Sequence, residues 1–163
     1  MRMQHLLRLA LILAFLTGAR LAAAAPELPA LFNEYRGQVV VVDFWASWCV
    51  PCRRSFPWLN EMQKKYAADG LVIVGVNEDN DQREAAAFLA EVPADFRIVP
   101  DPDGQIASQF DLLAMPTSFL IDRDGVVIEN HLGFKVAKTG EYEAALRRAL
   151  GLASEIDTVT SDH

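Results

Sequence analysis

Cysteine is scarce in this chain, which has only two among its 163 residues, Cys49 and Cys52. Two cysteines cannot form the dense disulfide framework that is typical of small exported domains. A bridge between them would close a very short loop, and the stabilisation from a disulfide grows with the length of the loop it closes. They also fall short of the four ligands that a structural zinc site requires. We therefore expect the pair to perform chemistry rather than to hold the fold together.

Basic residues are outnumbered as well, because 15 lysines and arginines face 22 acids and the formal net charge is −7. No basic cluster stands out from this acidic background, which argues against nucleic acid or an anionic lipid surface as a partner. The sequence also lacks internal repeats, low-complexity segments and interdomain linkers, and its length suits one domain with a substantial core. We expect a single monomeric domain that does not bind nucleic acid.

Long apolar runs are missing except near the N-terminus. There Arg2 and Arg8 come first, residues 9–16 are apolar, and residues 22–24 are alanines. This order of positive charge, apolar core and small residues is typical of an export signal. It predicts a protein that works in the periplasm, which is an oxidising compartment.

These features divide the chain into a signal peptide at residues 1–24, a folded domain at residues 25–151 and a flexible tail at residues 152–163. Cleavage after Ala24 fits the small-residue rule, whereas cleavage one residue later would put Pro26 directly after the cut. The alternative is an uncleaved N-terminus that anchors the protein in the inner membrane. Against this alternative, the apolar run is much shorter than the roughly 20 residues that a membrane-spanning helix needs.

Two short runs rich in β-branched residues predict buried strands at residues 38–44 and 71–76. Between them, apolar residues at helical spacing predict a helix with one buried face. Those residues are Phe56, Leu59, Met62 and Tyr66. A strand, a helix and a strand form a βαβ unit with parallel strands and a right-handed crossover. The two cysteines lie where the first strand ends and the helix begins.

Further elements are expected after the second strand, from capping, turn and hairpin signals. They are a helix capped by Asp81 and Glu84 and ending near Glu91, a strand at residues 98–99, a turn at 101–104, a short helix at 106–110, a hairpin of residues 117–122 and 126–132, and a final helix with Thr139 as its cap and Gly151 at its end. This order predicts an α/β fold with a mixed central sheet and helices on both faces.

The stretch VVDFWASWCVPC, the tripeptide Met115-Pro116-Thr117 and the terminal hairpin and helix together resemble the thioredoxin fold. The segment VPDPDGQIASQFDLLAMPTSFLIDRDGVVI resembles more narrowly the TlpA/ResA branch of exported thiol-disulfide oxidoreductases. The likeness covers residues 35–150. It implies a three-layer α/β/α domain with a mixed central sheet, in which a helix and a strand are inserted before a cis-proline.

The chain departs from that branch in three places. Only about ten residues, 25–34, are available for the hairpin that such proteins commonly carry before the first strand. Ser55 stands where the branch often has an acid, and Asp43 stands where many members have asparagine. These departures leave the fold unchanged but leave the choice of partner and the redox tuning open.

Thiol-disulfide exchange needs one thiolate to attack and a second thiol to resolve the mixed disulfide. At a helix start, unpaired N–H groups and the helix dipole lower the pKa of a thiol, so we expect Cys49 to attack and Cys52 to resolve. Asp43 lies six residues before Cys49 and is expected to be buried beneath the cysteines, where it can take a proton from Cys52. The alternative is a strand-end aspartate that reaches solvent or a backbone donor. No cofactor is expected, because the chain would cycle between two thiols and a Cys49–Cys52 disulfide.

The resemblance also implies a substrate-binding surface. A cis bond before Pro116 would present backbone beside Cys49, and an extended substrate segment could then pair with it as an added strand. The alternative is an ordinary trans-proline at the start of an edge strand. The residues expected to contact substrate are Trp48, Val50, Pro51, Met115, Pro116 and Thr117.

The direction of electron flow is inferred from what lies between the cysteines. A histidine there would stabilise the thiolate and make a strong oxidant, but the chain has Val50 and Pro51, which favour a reducing or intermediate potential. By resemblance, the substrates are exported proteins with cysteine pairs, including apocytochromes c, and a transmembrane thiol-reducing protein donates the electrons. The alternatives are a thiol oxidase and a periplasmic copper carrier using Cys49, Cys52 and His131, although His131 is expected to be a surface residue.

Overall fold

The computed structural model describes residues 30–152, which form one five-stranded sheet and the helices that cover it. The strands are β1 (Val39–Trp45), β2 (Leu71–Asn77), β3 (Arg97–Pro100), β4 (Thr117–Ile121) and β5 (Val127–Leu132). The α-helices are α1 (Val50–Tyr66), α2 (Gln82–Glu91), α3 (Gln105–Gln109) and α4 (Thr139–Leu150). The predicted signal peptide and nearly all of the predicted tail lie outside the described residues.

The strands are arranged in the order β3-β2-β1-β4-β5. β1, β2 and β3 pair in parallel, whereas β4 pairs antiparallel with both β1 and β5. The predicted mixed sheet is therefore confirmed, and so is the insertion, since β3 and α3 lie between α2 and Pro116. β1 occupies the centre of the sheet, so the cysteines that follow it emerge from the middle of the fold.

The side chains of β1 alternate between two cores. Val39, Val41 and Trp45 face α1, α2 and α4, whereas Val40 and Phe44 face Phe32 and α3. Every residue of β1 is buried. The continuous apolar run in the sequence thus reflects a strand with a hydrophobic layer on each side.

Helix α1 follows β1 after a four-residue loop and packs its apolar stripe on the first of these cores. Phe56, Leu59, Met62 and Tyr66 are all buried, as their spacing predicts. Burial of each large apolar side chain contributes roughly 1.5–3 kcal/mol. These contacts hold the start of α1, and with it both cysteines, at a fixed place on the sheet.

Three details differ from the sequence-based expectation. A 3₁₀ helix, Ala30–Tyr35, precedes β1, and its Phe32 is buried where related proteins would place a hairpin. Thr139 does not cap α4 but is its first residue, and its hydroxyl donates to the Val136 carbonyl at 2.9 Å. Leu152 still belongs to the fold, because it packs against the core and its N–H donates to the Arg147 carbonyl.

Candidate active site

Cys49 and Cys52 form a disulfide at the N-terminus of α1. Cys49 is the N-cap residue and has an extended backbone, while Pro51 occupies the first turn, where its missing N–H leaves no hydrogen bond unmade. Cys52 is fully buried, and Cys49 is 4% exposed. Cys49 is thus the only residue of the pair with any exposed surface.

The loop between β1 and α1 is fixed to the end of β2 by Asp79, a buried residue. The Asp79 carboxylate accepts hydrogen bonds from the Ser47 N–H at 2.9 Å and from the Ser47 hydroxyl at 2.9 Å. It also accepts one from the side-chain amide of Asn77 at 2.7 Å. This network holds the residues that lead into Cys49.

Large apolar side chains are exposed in the segment around the cysteines and in the loop before Met115. Trp48 is 66% exposed, and Val50, on the other side of Cys49 in the sequence, is exposed to a similar degree. Leu113, in the loop before Met115, is 91% exposed. Large apolar groups left in water mark surfaces that contact other molecules. The sequence predicts a contact role for Trp48 and Val50 but offers no signal for the exposure of Leu113, because a leucine in a loop carries no periodic pattern.

The Met115–Pro116 peptide bond is cis, and Pro116 is buried directly before β4. Thr117 pairs with Phe44 near the end of β1, so the proline lies at the same end of the sheet as the cysteines. The Thr117 hydroxyl donates to the Ala114 carbonyl at 2.7 Å. Met115, Pro116 and Thr117, which are expected to contact substrate, therefore lie at the same end of the sheet as the cysteines.

Asp43 is completely buried on the side of the sheet that α1 covers. One of its oxygens, Oδ1, accepts a hydrogen bond from the Ser118 hydroxyl at 2.5 Å, and the other, Oδ2, has no hydrogen-bond partner among the described residues. Burial raises the pKa of Asp43 to about 7, and the Ser118 hydrogen bond only partly opposes this rise. Asp43 can therefore gain and lose a proton near neutral pH.

The residue opposite Asp43 on β2 is Gly75, which brings no side chain toward the carboxyl group. A Cβ there would lie 2.9 Å from atoms of both Phe96 and Ile98, which is too close for any other residue without repacking. Ser118 is therefore the polar neighbour that the sheet supplies to Asp43.

Ser55, where related proteins often carry an acid, is buried one turn after Cys52. Its hydroxyl donates to the Cys52 carbonyl at 3.1 Å, an intrahelical bond that adds no charge near the sulfurs. The described site therefore has its buried acid on β1, at Asp43, and has a serine at the α1 position where related proteins often carry one.

A second perturbed carboxyl group lies where β2 and β3 end. Glu78 interacts with Asp101, and partial burial together with the charge and hydrogen bond of Asp101 raises the pKa of Glu78 to about 7. Asp101 caps α3 by accepting hydrogen bonds from the N–H groups of Gln105, Ile106 and Ala107, each at 2.8 Å. Sequence reasoning placed only a turn at this position.

His131 lies on the edge strand β5, which β4 separates from β1. Its Nε2 is 2.7 Å from Glu129 Oε1, and its ring stacks on Tyr142 with centroids 4.5 Å apart. Within residues 30–152, no three His, Cys, Asp or Glu side chains are grouped so that they could hold a metal ion. The ligand set considered for a copper carrier is therefore not brought together.

Ser47, Asp79 and Ser118 are the polar site residues that sequence reasoning missed. A weak signal existed for Ser118, because it is a polar residue next to the apolar run of the strand TSFLI. The alternation of that strand places Ser118 on the same face as Leu120, toward α1. No comparable signal existed for Asp79, whose partner Ser47 is 32 residues away.

Comparisons with known proteins agree with this geometry. A family model described as Redoxin matches residues 19–146. The thiol-disulfide oxidoreductase ResA of Bacillus thuringiensis subsp. konkukian is 33% identical over 101 residues, which cover 62% of this chain and 58% of ResA. The thioredoxin-like protein YneN of Bacillus subtilis is 32% identical over 117 residues, which cover 70% of this chain and 68% of YneN.

Among solved structures, a Chlorobium tepidum protein assigned as the thiol:disulfide interchange protein DsbE superimposes with a TM-score of 0.72 and 49% sequence identity. The match covers 74% of this chain and 85% of that one. The resemblance to ResA-type proteins of thioredoxin-like fold is confirmed. The matched segment nevertheless spans little more than half the length of ResA.

Proposed function

This chain belongs to the Redoxin family, and we propose that it is a thiol-disulfide oxidoreductase that exchanges disulfides with other proteins through Cys49 and Cys52. The observation that carries the proposal is the disulfide at the start of α1, in which only Cys49 has exposed surface. A sulfur at a helix N-terminus is stabilised as a thiolate by the helix dipole and free N–H groups. Such a thiolate is the nucleophile and leaving group that exchange requires.

In the reducing direction, the Cys49 thiolate attacks one sulfur of a substrate disulfide, and the other substrate sulfur leaves as a thiolate. Cys52 then gives its proton to the Asp43 carboxylate and attacks the Cys49 sulfur. The mixed disulfide breaks, the Cys49–Cys52 bond forms, and the second substrate thiolate leaves with the electron pair. Asp43 suits this role because its carboxyl group is buried, with a pKa of about 7.

Substrate binding is assigned to the apolar surface beside Cys49. Trp48, Val50 and Pro51 form one side of it, and Met115, Pro116 and Thr117 form the other. An extended segment of a substrate protein would lie between these two groups and pair with the backbone next to Pro116. The exposure of Trp48 supports a contact role for this residue.

The substrates are exported proteins with cysteine pairs, including apocytochromes c, and the electron donor is a membrane protein that reduces thiols. The protein acts in the periplasm, and residues 1–24 are its export signal. This signal is either cleaved or retained as a membrane anchor. The described helices include none that is long and apolar enough to cross a bilayer. Histidine is absent between Cys49 and Cys52, which favours reduction over oxidation of substrates.

Trapping variants test the proposal directly. Cys52→Ser should accumulate a mixed disulfide with an oxidised model substrate such as insulin, whereas Cys49→Ser should accumulate none. Trapping by Cys49→Ser alone would reverse the two roles, and trapping by neither variant would contradict the proposal.

The reduction potential, measured against glutathione, then decides the direction. A value well below about −200 mV supports a reductase, and a value near −120 mV makes the protein an oxidant. Equilibrium dialysis of the reduced protein against copper tests the carrier alternative, for which tight stoichiometric binding would be required.

A further inference from the structure

A buried acid that takes up a proton in every cycle must also release it to water, and Asp43 has no exposed surface through which to do so. Its Oδ1 contacts the Ser118 hydroxyl, and its Oδ2 has no hydrogen-bond partner among the described residues. Ser118 is therefore the polar group from which a path for the proton can start.

The register of the sheet places three polar residues in one row. Asp43 of β1 pairs with Ser118 of β4, and Ser118 pairs with His131 of β5. Directly opposite residues in antiparallel strands point to the same face, with Cβ atoms about 4.5–5.5 Å apart. The row thus runs from the centre of the sheet to its edge strand, on the face that α1 and α4 cover.

A small, partly open cavity of about 20 Å³ lies beside the outer two members of this row. Ser118 and His131 both line it, together with Ser55 and several apolar and aromatic side chains. A water molecule needs about 10–15 Å³ of such space and two or more polar partners. The two serine hydroxyls and the imidazole ring provide those partners, so the cavity suits one bridging water.

His131 forms the solvent end of the row. Its side chain is 22% exposed, and its Nε2 contacts Glu129, which lies 3.6 Å from Arg148 of α4. Tyr142 of α4 stacks on the ring. The other charged groups around the same surface pocket are Lys135, Lys138 and Glu141. A proton that reaches the imidazole can therefore pass to bulk water.

We propose that Asp43 exchanges its proton with solvent along this row, through the Ser118 hydroxyl, a water in the cavity and the His131 ring. Asp43 passes its proton to Ser118 Oγ, Ser118 passes its own to the water, and the water passes one to His131, which releases a proton to solvent. For this transfer the Ser118 hydroxyl first turns toward the water, so that its Oγ can accept from protonated Asp43. Each group then gains one proton and loses one, and the proton that Ser118 receives leaves its hydroxyl donating to the carboxylate again. Ser118 and His131 act through Asp43 and touch no substrate, and the relay rests on the proposed role of Asp43 in resolution.

The test follows the two phases of reaction between the reduced protein and the chromogenic disulfide dithiobis(nitrobenzoate). Attack by Cys49 releases the first coloured thiolate at a rate that depends on reagent concentration, and resolution by Cys52 releases the second at a rate that does not. In weakly buffered solution, a pH-indicator dye follows the release of the proton to solvent. In Ser118→Ala this release should lag behind the second coloured phase by at least about tenfold, and Ser118→Thr should remove the lag, because the relay needs the hydroxyl. The first phase should not change.

His131→Ala should slow the release of the proton to solvent severalfold in weak buffer, and added imidazole should restore the rate. Asn130→Ala is the matched control, because Asn130 neighbours His131 in β5 but is exposed and pairs with Phe119 on the other face of the sheet. If Asp43→Asn is slow while Ser118→Ala and His131→Ala match the wild type, the relay is wrong and the role of Asp43 stands. If Asp43→Asn also resolves at the wild-type rate, the role of Asp43 fails, and the relay fails with it.

Discussion

Asp43 within β1 and Asp79 just after β2 are both buried carboxyl groups, yet hydrogen bonds surround them very differently. Asp79 accepts bonds from the Ser47 N–H, the Ser47 hydroxyl and the Asn77 amide. Among the described residues, Asp43 accepts one bond, from Ser118, and its second oxygen has no partner. Asp101, at the start of α3, resembles Asp79, because three backbone N–H groups donate to it.

The contrast separates a structural role from a chemical one. A carboxylate with several donors is stabilised in its charged form and fixes the loops that supply them. A buried carboxylate with one donor is held poorly in its charged form, which lowers stability but makes the group ready to bind a proton. Asp79 thus holds the approach to Cys49 in place, whereas Asp43 is the group that we propose for the proton chemistry of Cys52.

The largest expected effect is on the stability of Asp43→Asn at alkaline pH. The pKa of Asp43 is about 7 in the folded protein, above its ordinary value of 3.8, so the folded state holds the proton more tightly than the unfolded state. The stability of the wild type therefore falls as pH rises from about 4 through 7, and asparagine removes this loss. The free energy of unfolding of the oxidised variant, relative to the wild type, should rise by the order of 4 kcal/mol between pH 4 and pH 9.

Urea unfolding of both proteins across this pH range measures the difference. Asp103→Asn serves as the control, because Asp103 is exposed in the turn before α3. If the difference in free energy of unfolding between Asp43→Asn and wild type stays constant from pH 4 to pH 9, the raised pKa of Asp43 is contradicted.

The same substitution at Asp79 should have the opposite sign. Asp79→Asn keeps one acceptor oxygen but turns an amide NH₂ toward groups that are themselves donors. A lost charged hydrogen bond and an unsatisfied buried group cost roughly 2–3 kcal/mol together. Urea unfolding at pH 7 should show this loss, and the comparison of the two carboxyl groups fails if Asp79→Asn is as stable as the wild type.

The smallest expected effect belongs to Glu78, whose pKa of about 7 reflects partial burial and the neighbouring Asp101. Because its folded pKa lies above 4.5, Glu78 also lowers stability as pH rises through 7, and Glu78→Gln should relieve this. Glu78 is partly exposed, so solvent screening keeps the gain at pH 9 below about 1 kcal/mol. A loss of stability at pH 9 would show that the Glu78 carboxylate is needed at this site.

The strands, helices and cysteine pair were predictable from sequence because their signals are local. The run Val39–Trp45 is apolar except for Asp43, and the stripe from Phe56 to Tyr66 has helical spacing. The position of Asp43 also followed from alternation, because it shares a face with Val41 and Trp45. The end of α4 at Gly151 followed from the left-handed conformation that glycine adopts there.

The hydrogen-bond partners could not be predicted in the same way. Ser118 is 75 residues from Asp43, and only the sheet register brings them together. Asp79 follows the end of β2 and accepts a hydrogen bond from Ser47, which follows the end of β1. This contact depends on how the two loops leave their strands. The capping residue of α4 was predicted wrongly because Thr139 uses its hydroxyl to bond back to Val136 instead of closing the helix.

The most direct test of the contrast is the rate at which Cys52 resolves the mixed disulfide in wild type, Asp43→Asn and Asp79→Asn at pH 7. The two coloured phases of the dithiobis(nitrobenzoate) reaction report attack and resolution separately. We predict that Asp43→Asn slows resolution by about 100-fold while attack by Cys49 stays within about twofold, and that Asp79→Asn leaves the ratio of the two rates nearly unchanged. Equal resolution rates in wild type and Asp43→Asn would contradict the assignment of Asp43 as the proton acceptor.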